Sequence, residues 1–500
     1  MQHAILKKPD FDSHDADALE EIIDNMVAAH PEKSGFNLLK RGNEAFAARM
    51  AIIQASKQYI ALQYYVLQDD LTGKLLVEEL LRAADRGIKI RLILDDLDFR
   101  RSRLSILILD DHENIEIRIF NPATTRRELW LNKLLRASRF FERYSKRMHN
   151  KALIVDGRMA VVGGRNLGDE YFDARADFAF NDLDVLVLGE VITPIQKCFE
   201  SFWTSQSTFD LPALGIKMPE PRAVTIQRMA LQKYYDKIAP LRTIDFKKPK
   251  EVIEQLIHER LPFSWAKAEY ISDEPDKVLT PLEEADSPPM ARLEDMLEKA
   301  QHEFVAVSPY FIPGDHGTEI LDKLVRRGIN ISILTNSLAS TDITAVHAAY
   351  SRYRTRLIKQ GVNMFELKPL SGKRSRHSLL RKGSSRASLH AKVYVVDRKW
   401  VMIGSMNLDP RSWRRNTECM VMVQSESLAA EILEMFELIT SPSTSYAVKQ
   451  AKNGRKGLAW HSEETQKSEK TTISYKDPKA GIIRRFANYL FYHFAPEDQL

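Results

Sequence analysis

The chain has 500 residues, 44% of them hydrophobic and 28% charged, with two cysteines and a net charge of +5. That length corresponds to about three ordinary domains or two large α/β ones, and the composition excludes a disordered, collagenous or coiled-coil chain. Cys198 and Cys419 are too few for a disulfide framework or a Cys-rich zinc site, and the small net charge gives no overall argument for nucleic acid.

Residues 1–35 read as a polar, then acidic, helical segment. It has no apolar stretch after its basic residues, so no signal peptide is expected. No run approaches the roughly 18 apolar residues of a membrane span, and the expectation is a cytoplasmic protein, soluble or peripheral. Next comes a helical stretch, Glu44–Ser56, then an aromatic-rich strand around Gln63–Val66. A helix ending before Arg86-Gly87 leads into the apolar run Ile88–Leu94, of the kind expected in a strand buried on both faces. After His149-Asn150-Lys151 the pattern predicts strands at Ala152–Val155 and Met159–Val162, turning at Asp156-Gly157.

The same grammar then recurs. A helix at Met290–Gln301 precedes Pro309–Ile312, a helix ends before Arg327-Gly328, and Ile329–Leu334 is apolar. His390-Ala391-Lys392 precedes strands Val393–Val396 and Trp400–Ile403, turning at Asp397-Arg398. His149, Lys151, Asp156, Gly163 and Asn166 each have a counterpart 241 residues on, in His390, Lys392, Asp397, Gly404 and Asn407. Arg86-Gly87-Ile88 keeps that offset, while Gln63–Val66 matches Pro309–Ile312 only with a five-residue gap change. Such a fixed-period recurrence marks a duplicated unit, and strands alternating with helices make each unit α/β. The expected organisation is a segment 1–35, a first domain 36–210, a proline- and charge-rich insert 211–285, a second domain 286–445, and a mobile polar linker with an amphipathic helix at 446–500.

The duplicated residues describe a chemical device. Residues two apart on an extended chain share a face, so imidazole and ammonium converge where an anion fits. The asparagine after the turn returns along the neighbouring strand to the same spot. Each set is thus a phosphate cradle holding a nucleophile or an acid. One His-x-Lys-x4-Asp in a chain this long is weak evidence. Two copies at a constant offset, each followed by Gly-x-x-Asn, are not chance. No Asp/Glu/His cluster with metal-ligand spacing accompanies them, so neither metal nor cofactor is expected.

The two motifs resemble the HKD signature of the phospholipase D superfamily over about residues 40–440. LQYYVLQDD at 62–70, RMHNKALIVDG at 147–157, GGRNLGDEYF at 163–172, LPFSWAKAEYISDEP at 261–275, LTNSLASTDITAVHAAY at 334–350 and GSMNLDPRS at 404–412 are similar to its cardiolipin synthase branch, most closely the bacterial C-type. The resemblance implies two phospholipase D-like α/β/α sandwich repeats related by a pseudo-two-fold, sharing one active site. It implies transfer of a phosphatidyl group from phosphatidylethanolamine or phosphatidylglycerol to phosphatidylglycerol, through a phosphohistidine. His149 is then the nucleophile and His390 the acid and base. Lys151, Lys392, Asn166 and Asn407 bind the phosphoryl oxygens, and Ser405 adds a hydroxyl. Asp156 and Asp397 complete the motifs, with a turn-forming role the alternative. A separate acid orients each histidine: Glu418 in the second half, and in the first half Asp182, with Asp184 the competitor. The alternatives are a hydrolase of the same superfamily acting on lipid or nucleic acid, and a non-catalytic membrane-binding protein.

Two basic segments lead into the motifs. Residues 126–147 carry a balance of +6 interleaved with apolar side chains, and 372–386 hold six basic residues and no acid. Both read as surfaces for anionic lipid at the inner membrane or as solvated faces. Nucleic acid is not an expected partner. The C-terminal apolar residues Ile482, Ile483, Phe486, Tyr489, Leu490 and Phe494 recur at helical spacing, which suits a bilayer interface or docking on the protein's own core.

Overall fold

Residues 13–99, 103–122, 145–172, 182–216, 220–238, 248–369, 388–452, 457–463 and 471–494 are described by a computed structural model. The chain divides into two compact units. The first comprises residues 1–177, 184–270 and 274–280; the second comprises 178–183, 271–273 and 281–500.

The first unit is built on a sheet of β1 (Ser34–Leu39), β2 (Tyr59–Tyr64), β3 (Lys89–Asp95), β4 (Ile115–Phe120), β5 (Ala152–Val155), β6 (Met159–Gly163), β7 (Asp184–Gly189), β8 (Thr208–Asp210) and β9 (Ser264–Ala266). Their spatial order is β8-β4-β3-β2-β5-β6-β7-β1-β9. β2, β3 and β4 are parallel, and β2, β5, β6 and β7 antiparallel. Every residue of β5 and β6 is buried. Alternate positions such as Leu62, Leu92, Leu153 and Val161 share a core with helices Gly42–Gln54 and Leu71–Asp85. Helix Ile192–Trp203 also contacts β5 and β7. Full burial is what the unbroken apolar runs dictate.

The second unit repeats the plan. Its strands are β10 (Ala268–Ser272), β11 (Glu303–Val307), β12 (Asn330–Asn336), β13 (Asn363–Leu367), β14 (Val393–Val396), β15 (Trp400–Gly404), β16 (Cys419–Gln424), β17 (Ser445–Gln450), β18 (Leu458–Glu463) and β19 (Thr471–Ser474). They lie in the order β10-β16-β15-β14-β11-β12-β13-β17-β18-β19. The run β13-β12-β11-β14-β15-β16 therefore reproduces β4-β3-β2-β5-β6-β7, with the same parallel and antiparallel pairings. Gly404 is required where β15 meets β16, since an added Cβ would lie 2.1 Å from the Cys419 carbonyl oxygen.

Two features differ from the sequence expectation. In register, Ile60 pairs with Val155 and Phe304 with Val396, and the isolated bridges are Leu67 to Leu167 and Phe311 to Leu408. The matching strands β2 and β11 are therefore offset by 244 residues. The gap change against the motif is three residues rather than five, because strand pairing and not aromatic likeness sets the register. The second difference is the tail. Within the expected linker 446–479, β17, β18 and β19 form an antiparallel extension of the sheet from β13 outward. Tyr446, Val448 and Trp460 point into the core while Lys449 and Gln450 face out. One face of apolar residues among many polar ones is a strand of period two, masked by average polarity.

Candidate active site

In the first unit the chain reaches β5 through Met148, His149, Asn150 and Lys151. Lys151 Nζ donates to the His149 carbonyl oxygen at 2.5 Å, so the ammonium folds back onto the backbone of the motif histidine. Both are buried, His149 at 8% and Lys151 at 1% exposure. The Tyr65 ring stands edge-on to His149, 5.3 Å between centroids, and lies 5.7 Å from Lys151 Nζ. Asn166 is buried beyond β6, with Nδ2 donating to the Tyr171 hydroxyl at 3.0 Å.

The second unit repeats the lysine contact. Lys392 Nζ donates to the His390 carbonyl oxygen, and Lys392 and Asn407 are buried. Burial pushes the Lys392 ammonium down to about 8, against the opposing pull of Asp182 and Glu418. His390 Nδ1 lies 2.6 Å from Asp182 Oδ2. A carboxylate only accepts, so Nδ1 carries a proton toward Asp182, which leaves Nε2 as the ring nitrogen that can exchange protons. Among the described residues, Asn166 Oδ1 and Asn407 Oδ1 are buried without a hydrogen-bond partner. Buried polar atoms are normally paired. Matching open positions in both copies are what a bound polar group would complete, and an amide turned over presents its NH2 at the same point.

The acids sort by environment. Asp182, numbered in the first half of the chain, belongs to the second unit and holds the second motif's histidine. Its competitor Asp184 is fully buried between Arg49, at 2.7 Å, and Arg165, at 3.4 Å, and is a core ion pair. Glu418 is buried; its Oε2 accepts from Ser405 Oγ at 2.5 Å, and its backbone N–H donates to Asp273 Oδ2 at 2.8 Å. Ser405 differs here from its expected part as a phosphoryl ligand. Its single hydroxyl proton goes to Glu418, and its oxygen accepts from the Cys419 N–H at 2.9 Å. The motif aspartates have the turn geometry. Asp156 accepts from the backbone N–H groups of Lys57, Gln58 and Tyr59, and Asp397 from those of Gln301, His302 and Glu303. Both have left-handed backbones, φ 52° and 53°, a conformation aspartate tolerates better than most residues.

Three positioning groups escaped the sequence reading. Asp95 accepts from the Met148 N–H at 2.9 Å and pairs with Arg147 at 3.2 Å. Asn336 accepts from the Leu389 N–H at 3.0 Å and donates to the Leu389 carbonyl at 3.1 Å. Each grips the residue before a motif histidine, and the two are again 241 residues apart. That offset, extended to polar residues ending the preceding strand, was the available signal. Asp273, which holds Glu418, sits inside the 261–275 stretch and carried no signal of its own. Of the two basic segments, 126–144 and 372–386 lie outside the described residues. Among the described residues one His/Asp/Glu group is close enough for a metal, His347, Glu366 and Asp477. Arg354 occupies it, 2.7 Å from Glu366 and 3.0 Å from Asp477.

A family model described as "Cardiolipin synthase, PLD-like domain" matches residues 50–203 and 293–440. The chain is 37% identical to cardiolipin synthase C of Escherichia coli K12, over 82% of this chain and 86% of that one. It is 25% identical to cardiolipin synthase A of Pseudomonas syringae pv. syringae, over 80% of this chain and 67% of that one. Among solved structures, the phosphatidylserine synthase of Haemophilus influenzae Rd KW20 shares the fold, with a TM-score of 0.58 at 11% identity, over 95% of this chain and 97% of that one. With both halves matched and both motifs in place, the chain belongs to the PLD-like cardiolipin synthase family.

Proposed function

We propose that this protein is a cardiolipin synthase, moving a phosphatidyl group from phosphatidylethanolamine or phosphatidylglycerol onto the glycerol hydroxyl of phosphatidylglycerol. The observation that carries the reading is the pair of matched His/Lys/Asn sets, one with its histidine held by Asp182 at 2.6 Å. A ring nitrogen of His149 attacks phosphorus as the bond to the donor headgroup breaks, and His390, entering as the imidazolium with Nδ1–H on Asp182, delivers its Nε2 proton to the departing alkoxide. The acceptor hydroxyl then returns a proton to His390, its oxygen bonds to phosphorus, and His149 leaves. Lys151, Lys392, Asn166 and Asn407 stabilise the charge growing on the non-bridging oxygens. Asp182 and Glu418 are positioning acids, Glu418 itself held by Ser405 and Asp273. Asp156 and Asp397 anchor the strands that carry the motifs. Its phospholipid substrates place its action at a membrane surface, and we assign it to the cytoplasmic face of the inner membrane as a peripheral enzyme; among the described residues no helix is long and apolar enough to cross a membrane.

The test is purified protein with labelled phosphatidylglycerol and phosphatidylethanolamine, run beside single-stranded DNA. Cardiolipin with free ethanolamine or glycerol is the expected product. Phosphatidic acid alone would mean hydrolysis, and cut DNA without lipid product a nuclease.

A further inference from the structure

The helix Ile482–Phe494 sits on the second unit the wrong way round for a helix that seals a core. The side chains turned toward the protein are Arg484, Ala487 and Asn488, three and four apart and thus on one face. They are held by polar contacts. Arg484 Nη1 donates to the carbonyls of Leu338 and Ala339 at 3.2 and 2.8 Å, and Asn488 Oδ1 lies 3.1 Å from His347 Nδ1. At the far end Arg352, from helix Thr344–Gln360, donates to the carbonyls of Phe491 and Tyr492. There it satisfies carbonyls that a helix end leaves open and complements the helix dipole. The apolar face looks outward. Ile482, Ile483, Phe486 and Phe494 are 84, 86, 62 and 78% exposed, and Tyr489 and Leu490 extend the patch. None of the helix's residues is buried.

We propose that this helix is the membrane-docking element of the enzyme, lying in the interface of a bilayer rich in anionic phospholipid; this rests on the phospholipid-substrate reading above. A contiguous exposed apolar patch marks an interaction site. The charge around it chooses the occupant. Lys476, Lys479 and Arg485 are exposed beside the patch and the helix itself carries no acid, which suits negatively charged headgroups. The aromatic side chains include Tyr489 and Tyr492, apolar rings with a polar tip that belong at the headgroup level. At 1.5 Å per residue the helix is about 20 Å long, too short to span and suited to lie in the plane. The polar clamps fix its orientation before any lipid is met.

The test compares full-length wild type with Ile483→Glu/Phe486→Glu, two residues that are 86 and 62% exposed. Vesicles of phosphatidylglycerol and phosphatidylethanolamine are set against phosphatidylcholine vesicles in a sedimentation assay. Transfer is measured on the vesicles and on short-chain phosphatidylglycerol below its critical micelle concentration. The expected result is at least tenfold weaker binding of the variant to the anionic vesicles, a matching loss of transfer there, and unchanged transfer on the dispersed lipid. Unchanged vesicle binding would overturn the assignment, as would a wild-type dimer that the variant converts to monomer, since a second copy would then be the occupant. A wild type that binds the anionic vesicles but forms no transfer product on either form of lipid would instead overturn the transferase reading and leave the docking assignment standing.

Discussion

Asp182 Oδ2 lies 2.6 Å from His390 Nδ1 across 208 residues of sequence, while Asp184, two residues later, is buried against Arg49 and Arg165. Two neighbouring aspartates thus have separate tasks. Asp182→Asn keeps the shape but presents the wrong hydrogen-bonding group to Nδ1. It is expected to lower kcat roughly 100-fold or more, as loss of a histidine-orienting carboxylate does, with KM and melting temperature little changed. Asp184→Asn leaves two buried guanidiniums uncompensated, at a cost of about 3–5 kcal/mol. It is read as a lower melting temperature, with normal turnover per folded molecule.

On the proposed mechanism, Lys392 is expected to set the alkaline limit of activity. Its ammonium is pushed down to about 8 by burial, and only the charged form stabilises a phosphoryl oxygen. kcat/KM, which reports the free enzyme, should fall as pH rises through about 8. Lys392→Arg keeps its charge to much higher pH. Whatever rate this variant retains should lack that limb, and a limb still near 8 would assign it to another group.

Asp156 and Asp397 each gather three backbone N–H groups. Asp156→Asn keeps an acceptor and a side chain suited to the left-handed backbone, so activity within about threefold of wild type is expected. Asp156→Ala loses the acceptor and about 1–3 kcal/mol of stability. A collapse of turnover in a well-folded Asp156→Asn would return this residue to the chemistry.

Asp409 caps the helix Pro410–Arg414 through the Ser412 N–H at 2.7 Å, yet burial raises its carboxyl to about 7. A carboxyl raised above its unfolded value near 4 contributes stability that is complete below that value and lost as pH rises through about 7. Asp409→Asn keeps the cap without a charge. Its melting temperature should come closest to wild type at or below about pH 4 and exceed it by a margin that grows up to about pH 7.

Much of this was legible in the sequence because duplication prints each constraint twice. His149 with His390, Lys151 with Lys392, and Asn166 with Asn407 stand at one offset, and apolar runs mark the central strands. The partner of Asp182 was not legible. Spacing within a half says nothing about which histidine a loop reaches, and the loop delivers its acid to the other motif's histidine. Ser405 misled because a hydroxyl beside a phosphate cradle reads as a ligand until its one proton is traced to Glu418. The tail strands were hidden by exposed polar residues such as Lys449, Gln450 and Thr472 between their apolar ones, and the offset of 244 by an aromatic likeness that the strand register overrode.

The central claim is a phosphatidyl group carried on His149 and released with the help of His390. The direct measurement is a rapid denaturing quench of enzyme mixed with chain-labelled donor, followed by peptide mapping at neutral to alkaline pH. Label is expected on the peptide containing His149, accumulating in His390→Ala and absent in His149→Ala, and chased into cardiolipin when wild type meets phosphatidylglycerol. Label on His390 instead, or cardiolipin formed at full rate by His390→Ala, would contradict it.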